Sequence, residues 1–359
     1  MASKINFAAL TFTAEQVRDL NELIFLSIVD TEVFANYHTI VPGIVYDGKI
    51  GFIGELGLVG KAAQGCSPTA DTPTSLASEK SWAPKAWEVI LDECFSDIEA
   101  TLGVYALKFG TEKSDLTQTK YFQLVEELLT RAIQKMLWRI AWFSDTAAAN
   151  VDDSPAGKLT SGIDEAYFNI LNGFWKQIDS IFATTPARRS TIAANTSATF
   201  ALQDSDFTPA LAYAAISAVK YNATPELRSA DGTVVYATRS VVDKLEQYLI
   251  GQGIIPMYEN LINGFDFKTP ALKILGLSVQ PIDIWDKIIR TYFSTGTAYY
   301  RPHRILMTTK QNLLVGVPST SVLDNLDVSY DKRSRINRIE ATDKMSPVIA
   351  EDNMIQVAL

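Results

Sequence analysis

The longest regular pattern of apolar positions in the chain lies between Thr119 and Phe143. Apolar side chains recur there at three- and four-residue steps, the spacing of one helix face. At 1.5 Å per residue the predicted helix is a rod of roughly 37 Å, longer than most helices of globular proteins. Thr117 or Thr119 can cap its start, and Ser144 follows its end. We therefore expect a long helix whose broad apolar face packs against strands.

Residues after a polar connection at 150–161 alternate between helical and strand patterns. The helical patterns are Ile163–Phe182, Pro209–Tyr221 and Val241–Ile250, the last capped by Ser240. The strand patterns are Val234–Thr238, Leu272–Leu275 with Val279, and a predicted hairpin of Ile305–Thr308 with Leu313–Val317. This order predicts a mixed α/β domain with a central sheet.

The end of the chain returns to a polar alternation at Leu326–Asp331, followed by a basic segment and a last strand near Met354–Val357. It has too little apolar mass to fold alone. We expect it to pair with the early strand, Trp87–Leu91, and with the long helix, which would make that substructure discontinuous. Shorter helical patterns at Ala14–Ile28 and Asp97–Lys108 complete the prediction.

A glycine-rich apolar segment precedes the first strand. Five glycines stand three apart, at Gly48, Gly51, Gly54, Gly57 and Gly60, and Phe52 is among the apolar residues between them. Such a segment is too rich in glycine for a helix and too apolar for a solvated linker. It predicts an irregular or bulged β-hairpin that extends as an arm toward a surface, either of the same chain or of a second copy.

Phosphate-binding loops do not explain these glycines. A P-loop ends in Gly-Lys-Ser/Thr, whereas Gly60 and Lys61 are followed by Ala62. The dinucleotide fingerprint needs two glycines separated by one residue, which a three-residue period never supplies. Collagen requires many repeats with abundant proline. The arm therefore carries no predicted cofactor, and we expect none elsewhere in the chain.

Composition narrows the class of protein. The chain has 359 residues, of which 47% are hydrophobic and 20% charged, with a net charge of −9. These values are typical of a folded soluble protein and argue against broad nucleic-acid binding, which needs clustered Lys and Arg. The two cysteines, Cys66 and Cys94, form no zinc or disulfide pattern. Without a secretory signal or a membrane-length apolar run, we expect a protein made in the cytoplasm.

Candidate chemistry is sparse. The two histidines, His38 and His303, lie far apart in sequence, and the nucleophile and metalloprotease motifs are missing. Asp152 and Asp153 could bind a divalent cation only with poor specificity, and we predict no catalytic or metal site. The dense basic spots are Arg188 with Arg189, and Arg333, Arg335 and Arg338. The latter three predict either a solvated face or ion pairs with acidic neighbours across subunits.

The order of these parts resembles the major capsid proteins of tailed double-stranded DNA bacteriophages, which have the Hong Kong 97 fold. The stretches that carry the resemblance are Trp87–Cys94 leading into Asp97, the helix end Met136–Phe143, Val234–Leu245, Arg304–Leu313 and Tyr330–Arg333. It covers nearly the whole chain and rests on the order and texture of the elements, because this family has no short diagnostic motif.

The resemblance implies an α+β fold of four parts. These are an N-terminal arm at 1–42, an extended loop at 43–86, a peripheral domain at 87–160 and 321–359, and an axial domain at 161–320. In that family the extended loop lies over a neighbouring subunit, and the axial domains meet around five- and six-fold axes. Gly48, Gly51, Phe52, Gly54, Gly57, Gly60, Arg333, Arg335 and Arg338 are then candidates for contacts between subunits.

The implied function is structural and not enzymatic. Many copies would form pentamers and hexamers of an icosahedral virion capsid, assembled in the host cytoplasm, with weak contact to the enclosed double-stranded DNA and no contact to a membrane. Scaffold, portal and decoration proteins would be further partners. The chain begins almost directly with its arm at Met1, which favours a separate scaffold protein over an already trimmed product.

Two alternatives stay open at this stage. One is an α/β enzyme or ligand-binding protein with an unusual glycine-rich insertion, whose site lies within 161–320. The other is a different phage or encapsulating-shell subunit that forms rings or tubes. Sequence separates the second alternative poorly from a capsid protein.

Overall fold

A computed structural model describes residues 34–56, 62, 75–94, 120–154, 156–262, 265–319, 326–331, 333 and 336–359. Its helices are α1 (Phe34–Tyr37), α2 (Lys120–Phe143), α3 (Phe174–Thr184), α4 (Phe200–Asp206), α5 (Pro209–Asn222), α6 (Pro225–Ser229), α7 (Arg239–Gly251) and α8 (Asp283–Tyr292). The predicted helices at Ala14–Ile28 and Asp97–Lys108 lie outside the described residues.

The strands form three sheets. They are β1 (Thr39–Pro42), β2 (Gly48–Leu56), β3 (Ser75–Trp82), β4 (Lys85–Cys94), β5 (Arg189–Ser190), β6 (Thr233–Ala237), β7 (Met257–Ile262), β8 (Phe265–Ile274), β9 (Leu277–Pro281), β10 (Ile305–Thr309), β11 (Leu313–Val317), β12 (Leu326–Asp331), β13 (Ile336–Ile349) and β14 (Gln356–Ala358). The predicted α+β class is confirmed.

The long strand β13 organises a five-stranded sheet. Its first part pairs with β12 and with β4, and its last four residues pair with β11, which in turn lies parallel to β1. The pairing of β13 with β4 joins the end of the chain to an early strand, as the sequence predicts. The predicted long helix is also confirmed, as α2.

A second sheet of seven strands has the order β5-β14-β10-β6-β9-β8-β7. Strands β6 and β10 are buried along most of their length, so their near-continuous apolar runs fit a sheet covered on both faces. Helices α5 and α7 bury apolar positions beside it, including Ile216, Val241 and Leu245. Strand β7 is the last strand at one edge.

Aromatic side chains at the carboxyl end of α2 form the centre of the main core. The Trp142 ring centroid lies 4.6 Å from that of Trp285 and 4.8 Å from that of Phe174. The Trp142 indole Nε1 donates a 2.8 Å hydrogen bond to His38 Nε2. Both partners are buried. Helices α2, α3 and α8 therefore meet at one aromatic cluster, which also holds the segment that follows α1.

The predicted helix over Ile163–Phe182 is wrong in extent. A 3-10 turn covers Glu165–Tyr167, and α3 begins only after Gly173. The helical spacing of apolar residues continues in the sequence, but the chain changes direction before Gly173. At Gly173 the backbone packs closely against the end of α2. A Cβ atom on Gly173 would lie 2.8 Å from the Ala141 carbonyl oxygen and 3.0 Å from that of Ile140. In addition, the N-cap residue of α7 is Thr238, whose side chain makes no capping hydrogen bond, and the predicted cap Ser240 lies within the helix.

Strands β10 and β11 do not form the predicted hairpin, because they belong to different sheets. The 3-10 turn Lys310–Asn312 between them redirects the chain. Buried Asn312 fixes this turn: its Nδ2 donates to the carbonyls of Glu351 and Met354, each at 3.1 Å, and its Oδ1 accepts a 2.7 Å bond from the Glu351 amide. The Asn312 side chain thus connects this turn to the 351–354 segment.

The last strand also lies elsewhere than predicted. Strand β14 pairs with β10 in the seven-stranded sheet, not with the early strand and the long helix. Strand β11, which precedes residue 320, pairs with β13 in the five-stranded sheet. The division at 320 and 321 into an axial and a peripheral domain stays a prediction, and these two strands do not follow it.

We predict that Asn312→Ala destabilises the fold by about 2 kcal/mol, since it leaves the Glu351 amide without its acceptor and removes one donor each from the Glu351 and Met354 carbonyls. The free energy of unfolding from urea titration measures the effect. Gln311→Ala, at the exposed neighbouring position, is the matched control and should stay within about 0.5 kcal/mol of the wild type. Equal values for both variants would contradict the role given to Asn312.

Candidate assembly surfaces

The glycine-rich arm is one strand of a two-stranded antiparallel hairpin. Strand β2 pairs with β3 from Gly48 opposite Trp82 to Ile53 opposite Ala77, and the register shifts between Ile53 and Leu56. The predicted bulged β-hairpin is thus confirmed. Among the described strands, these two pair only with each other. An isolated two-stranded hairpin is marginally stable in water, so its attachment to the rest of the chain matters.

Trp82 anchors the base of the hairpin. Its side chain is 4% exposed and packs in a small cluster with Leu314, Val348 and Ala350. The fit depends on a glycine in β11, because a Cβ atom on Gly316 would lie 2.9 Å from the Trp82 ring. The contact therefore fixes the end of β3, at the base of the hairpin, to the five-stranded sheet.

Polar contacts strengthen the same attachment. The Ala83 amide donates to Ser346 Oγ at 3.0 Å, and the Lys80 ammonium lies 2.7 Å from a carboxylate oxygen of Asp352. Before the other hairpin strand, β2, the Ile44 amide donates a 3.0 Å hydrogen bond to the Val317 carbonyl. The base of the hairpin is thus held from both of its ends.

The structure describes four of the six predicted contact residues of the arm, and all four lie in β2. Gly48 and Gly51 are exposed in β2. A Cβ atom on Gly51 would meet nothing within 4 Å, so nothing among the described residues requires a glycine there. Phe52 and Gly54 belong to the same strand, with Phe52 paired opposite Ser78. Gly57 and Gly60 lie outside the described residues.

Of the predicted basic contacts, Arg338 lies in β13 of the five-stranded sheet, and Arg333 lies between β12 and β13. Arg338 of β13 stands directly opposite Asp92 of β4, and its guanidinium holds both carboxylate oxygens, at 2.7 and 3.0 Å. This pair holds the pKa of the Asp92 carboxyl below its usual value. Arg333 is exposed in a turn, and Arg335 lies outside the described residues. Arg338 therefore has an acidic partner within its own chain.

A cluster of exposed apolar side chains lies at the end of helix α7 and just after it. We call it the edge cluster: Ile250, Ile254, Ile255, Met257 and Tyr258. Ile255 is 85% exposed and Met257 67%, and the cluster continues into β7, the edge strand of the seven-stranded sheet. Sequence reasoning did not select these residues. The signal in the sequence was the pair Ile254 and Ile255 between the turn residues Gly253 and Pro256.

His303 and Ser240 contact each other beside a cavity of about 440 Å³ in the region that the enzyme alternative would use. His303 Nε2 lies 3.0 Å from the Gln203 carbonyl, which can only accept, so this nitrogen donates and Nδ1 accepts from Ser240 Oγ at 2.9 Å. Burial lowers the pKa of His303 to about 4. The imidazole, stacked on Phe207 at 4.0 Å, thereby links α7 to the 195–207 segment.

Within the described ranges, no group of three or more His, Cys, Asp or Glu side chains could hold a metal ion. Asp152 accepts a hydrogen bond from the Gly162 amide at 3.0 Å. No helix in that same part of the chain is long and apolar enough to cross a membrane.

Comparison with solved structures places the fold among phage proteins. A chain from Gordonia phage Cozz matches with a TM-score of 0.52 and 12% identity, over 92% of this chain and 87% of that one. At that identity the likeness concerns the fold, and it confirms at this level the resemblance to phage proteins.

Two further structures give lower TM-scores. The satellite phage P4 procapsid that includes the size determination (Sid) protein matches at 0.49, with 13% identity over 89% of this chain and 84% of that one. The holo-SrpI encapsulin complex from Synechococcus elongatus PCC 7942 matches at 0.46, with 10% identity over 97% and 95%. No protein-family model matches the chain, and no curated protein matches its sequence.

We predict that Trp82→Ala releases the base of the hairpin. Loss of a buried tryptophan costs about 3–5 kcal/mol where the site cannot collapse, and here the loss falls on the contact between the hairpin and the five-stranded sheet. Amide hydrogen exchange should quicken in β2 and β3 while β6 and β10 stay protected. Tyr46→Ala, at a residue 80% exposed next to the hairpin, is the control. Unchanged exchange in β2 and β3 of Trp82→Ala would refute the anchor.

Proposed function

We propose that the protein is a structural subunit that assembles with copies of itself into the icosahedral capsid of a tailed double-stranded DNA phage. The observation that carries the proposal is the hairpin of β2 and β3, which is anchored at its base and has no third strand among the described residues. The fold shared with a Gordonia phage Cozz chain supports it.

The outer part of the hairpin is the first surface for a neighbouring copy. Two strands bury little apolar area by themselves, and a third strand or a packed face is needed for independent stability. Gly51 has open space where its side chain would be, which lets a neighbouring backbone approach closely. Gly48, Phe52, Gly54, Gly57 and Gly60 share this proposed contact, and the hairpin lies on an adjacent subunit.

The edge cluster is the second surface. Contiguous exposed apolar side chains mark contact sites in soluble proteins, and an edge strand offers unpaired backbone groups to another chain. Met257 combines both features as the first residue of β7, and the more exposed Ile255 lies two residues before it. We assign this surface to contacts among subunits around a capsomer axis, and the seven-stranded sheet to the axial part of the subunit.

The finer parts of the proposal follow from the same picture. The net charge of −9 fits a container that contacts its DNA weakly, because tight binding needs clustered cations. Scaffold, portal and decoration proteins are the proposed further partners, and Arg333 and Arg335 are proposed contact residues. Arg338 stabilises the five-stranded sheet through Asp92 and reaches a neighbour only from that paired position. No catalytic step is assigned to the protein.

We predict that a shortened hairpin abolishes assembly without unfolding the subunit. Gly51 and Glu79 are paired residues, so an Asn-Gly turn can join them in place of residues 52–78 while Trp82 and Lys80 keep their contacts at the base. Size-exclusion chromatography with light scattering and negative-stain images should show folded monomers or small oligomers in place of shells. Shells of normal size from this variant would overturn the role of the hairpin.

Gly51→Val is the matched point variant for the same surface. Valine suits a strand, and the open space around Gly51 accommodates the side chain, so the melting temperature of the unassembled chain should stay the same. We expect the yield of particles to fall. An unchanged yield would place the neighbour's contact elsewhere on the hairpin.

A charge in the edge cluster provides an independent test. Ile255→Asp changes a side chain that is 85% exposed, so the free energy of unfolding should change by less than about 0.5 kcal/mol. Particle yield should nevertheless drop, since a carboxylate would be buried at the contact. Tyr221→Asp, at a residue 61% exposed outside the cluster, is the control. Equal yields from the two variants would contradict the assignment.

A further inference from the structure

A small cavity carries a concentration of positive charge in this acidic chain. It has a volume of about 70 Å³ and lies between the end of α2, helix α3 and the segment before β10. The charged side chains that line it are Lys158, Lys176, Arg301, Arg304, Asp145 and Asp179. Four cations and two carboxylates leave a formal charge of +2.

The two carboxylates are already engaged. Asp179 pairs with Arg301 at 2.8 Å, and Asp145 pairs with Lys176 at 2.9 Å. Lys158 lies with its ammonium 5.0 Å from the centre of the Tyr300 ring, and Arg304 faces the Trp175 ring at 4.9 Å. Within the described ranges, neither of these two cations has an acidic partner. The excess charge of the cavity therefore belongs to Lys158 and Arg304.

Arg304 is the unusual member of this set, because it is 3% exposed. Its Nε donates to the Arg301 carbonyl at 2.9 Å and its Nη2 to the Tyr300 carbonyl at 3.2 Å. Burial lowers the pKa of Arg304 to about 10. Asp179 and Asp286 act on the guanidinium only through space, with no ion pair to either among the described residues, so the free-energy cost of its burial is offset only in part. An anion beside it would remove much of that cost.

Two more polar groups of the cavity lining lack partners. Ser144 Oγ and Trp175 Nε1 are buried with no hydrogen-bond partner among the described residues. A hydroxyl can donate and an indole N–H only donates, so both complement an acceptor-rich guest. The cavity opens to the surface, since Ala147 and Ala156 of its lining are exposed.

We propose that this cavity binds a small oxyanion, either a phosphate or a carboxylate, which Arg304 and Lys158 hold. A planar guanidinium and an ammonium together suit the oxygens of such an anion. The anion is either free in solution or the carboxylate side chain of a neighbouring copy. The proposal for unassembled protein does not depend on the assembly function.

Isothermal titration calorimetry with inorganic phosphate tests the cavity on the unassembled chain, with chloride at matched ionic strength as the reference. We expect one phosphate per chain and no saturable heat with chloride. Lys158→Met should weaken phosphate binding about tenfold, the loss of one charge-assisted hydrogen bond. Arg304→Met should abolish it. Arg338→Met, at an arginine paired with Asp92 outside the cavity, should bind phosphate like the wild type.

The half-buried position of Lys158 lets Lys158→Met carry the test even where loss of the buried Arg304 prevents folding. The proposal is overturned if the wild type shows no saturable phosphate binding beyond chloride, or if Lys158→Met binds as tightly as the wild type. It is also overturned if Arg338→Met weakens binding as much as Lys158→Met, which would indicate adventitious ion binding only.

The same titration on assembled particles distinguishes the two sources of the anion. This second experiment rests on the proposed function. Particles that still bind phosphate identify a free oxyanion as the occupant. Particles that no longer bind it, while the unassembled chain does, identify a carboxylate of a neighbouring copy. In both cases the cavity is an oxyanion site.

Discussion

The hydrogen bond from the Trp142 indole to His38 is the contact on which the other elements converge. It requires Nε2 of His38 to accept, so the imidazole must be neutral, with Nδ1 directed at the Phe34 carbonyl at 2.8 Å. Burial lowers the pKa of His38 to about 3, which keeps it neutral at physiological pH. The same Trp142 ring packs against α3 and α8. The hydrogen bond between Trp142 and His38 thus attaches the segment between α1 and β1, which precedes the hairpin, to the long helix α2.

Local elements were predictable from the sequence where one spacing ran uninterrupted. Helix α2 follows from its apolar periodicity, helix α5 from its alanine-rich stretch, and β4 from the strand pattern Trp87–Leu91 after Pro84. The placement of β10 and β11 in two different sheets was not predictable in this way, because neighbouring strands usually form a hairpin. Here Asn312 satisfies the backbone of residues 351–354 and turns the chain into a second sheet. Nothing local to Asn312 reports a partner some 40 residues away.

The candidate surfaces show the same division. The glycine spacing predicted an extended arm, and the bulged hairpin confirms it. The attachment of the hairpin through Trp82 could not be predicted from the sequence, because the fit of Trp82 depends on Gly316 in a strand that is distant in sequence. Likewise, the basic spot around Arg338 predicted ion pairing but not that Asp92 of the same chain stands opposite. Spacing identifies a segment, whereas long-range packing decides what it touches.

The two proposed surfaces belong to different sheets. The hairpin is attached to the five-stranded sheet through Trp82, and the edge cluster continues into the outermost strand of the seven-stranded sheet. A two-fold dimer uses one self-complementary patch, whereas contacts between unlike patches join subunits head to tail and close into rings when the rotation allows. A chain with two unlike, solvent-exposed surfaces is therefore suited to an extended closed assembly. A single dimer would leave at least one of these surfaces exposed to water.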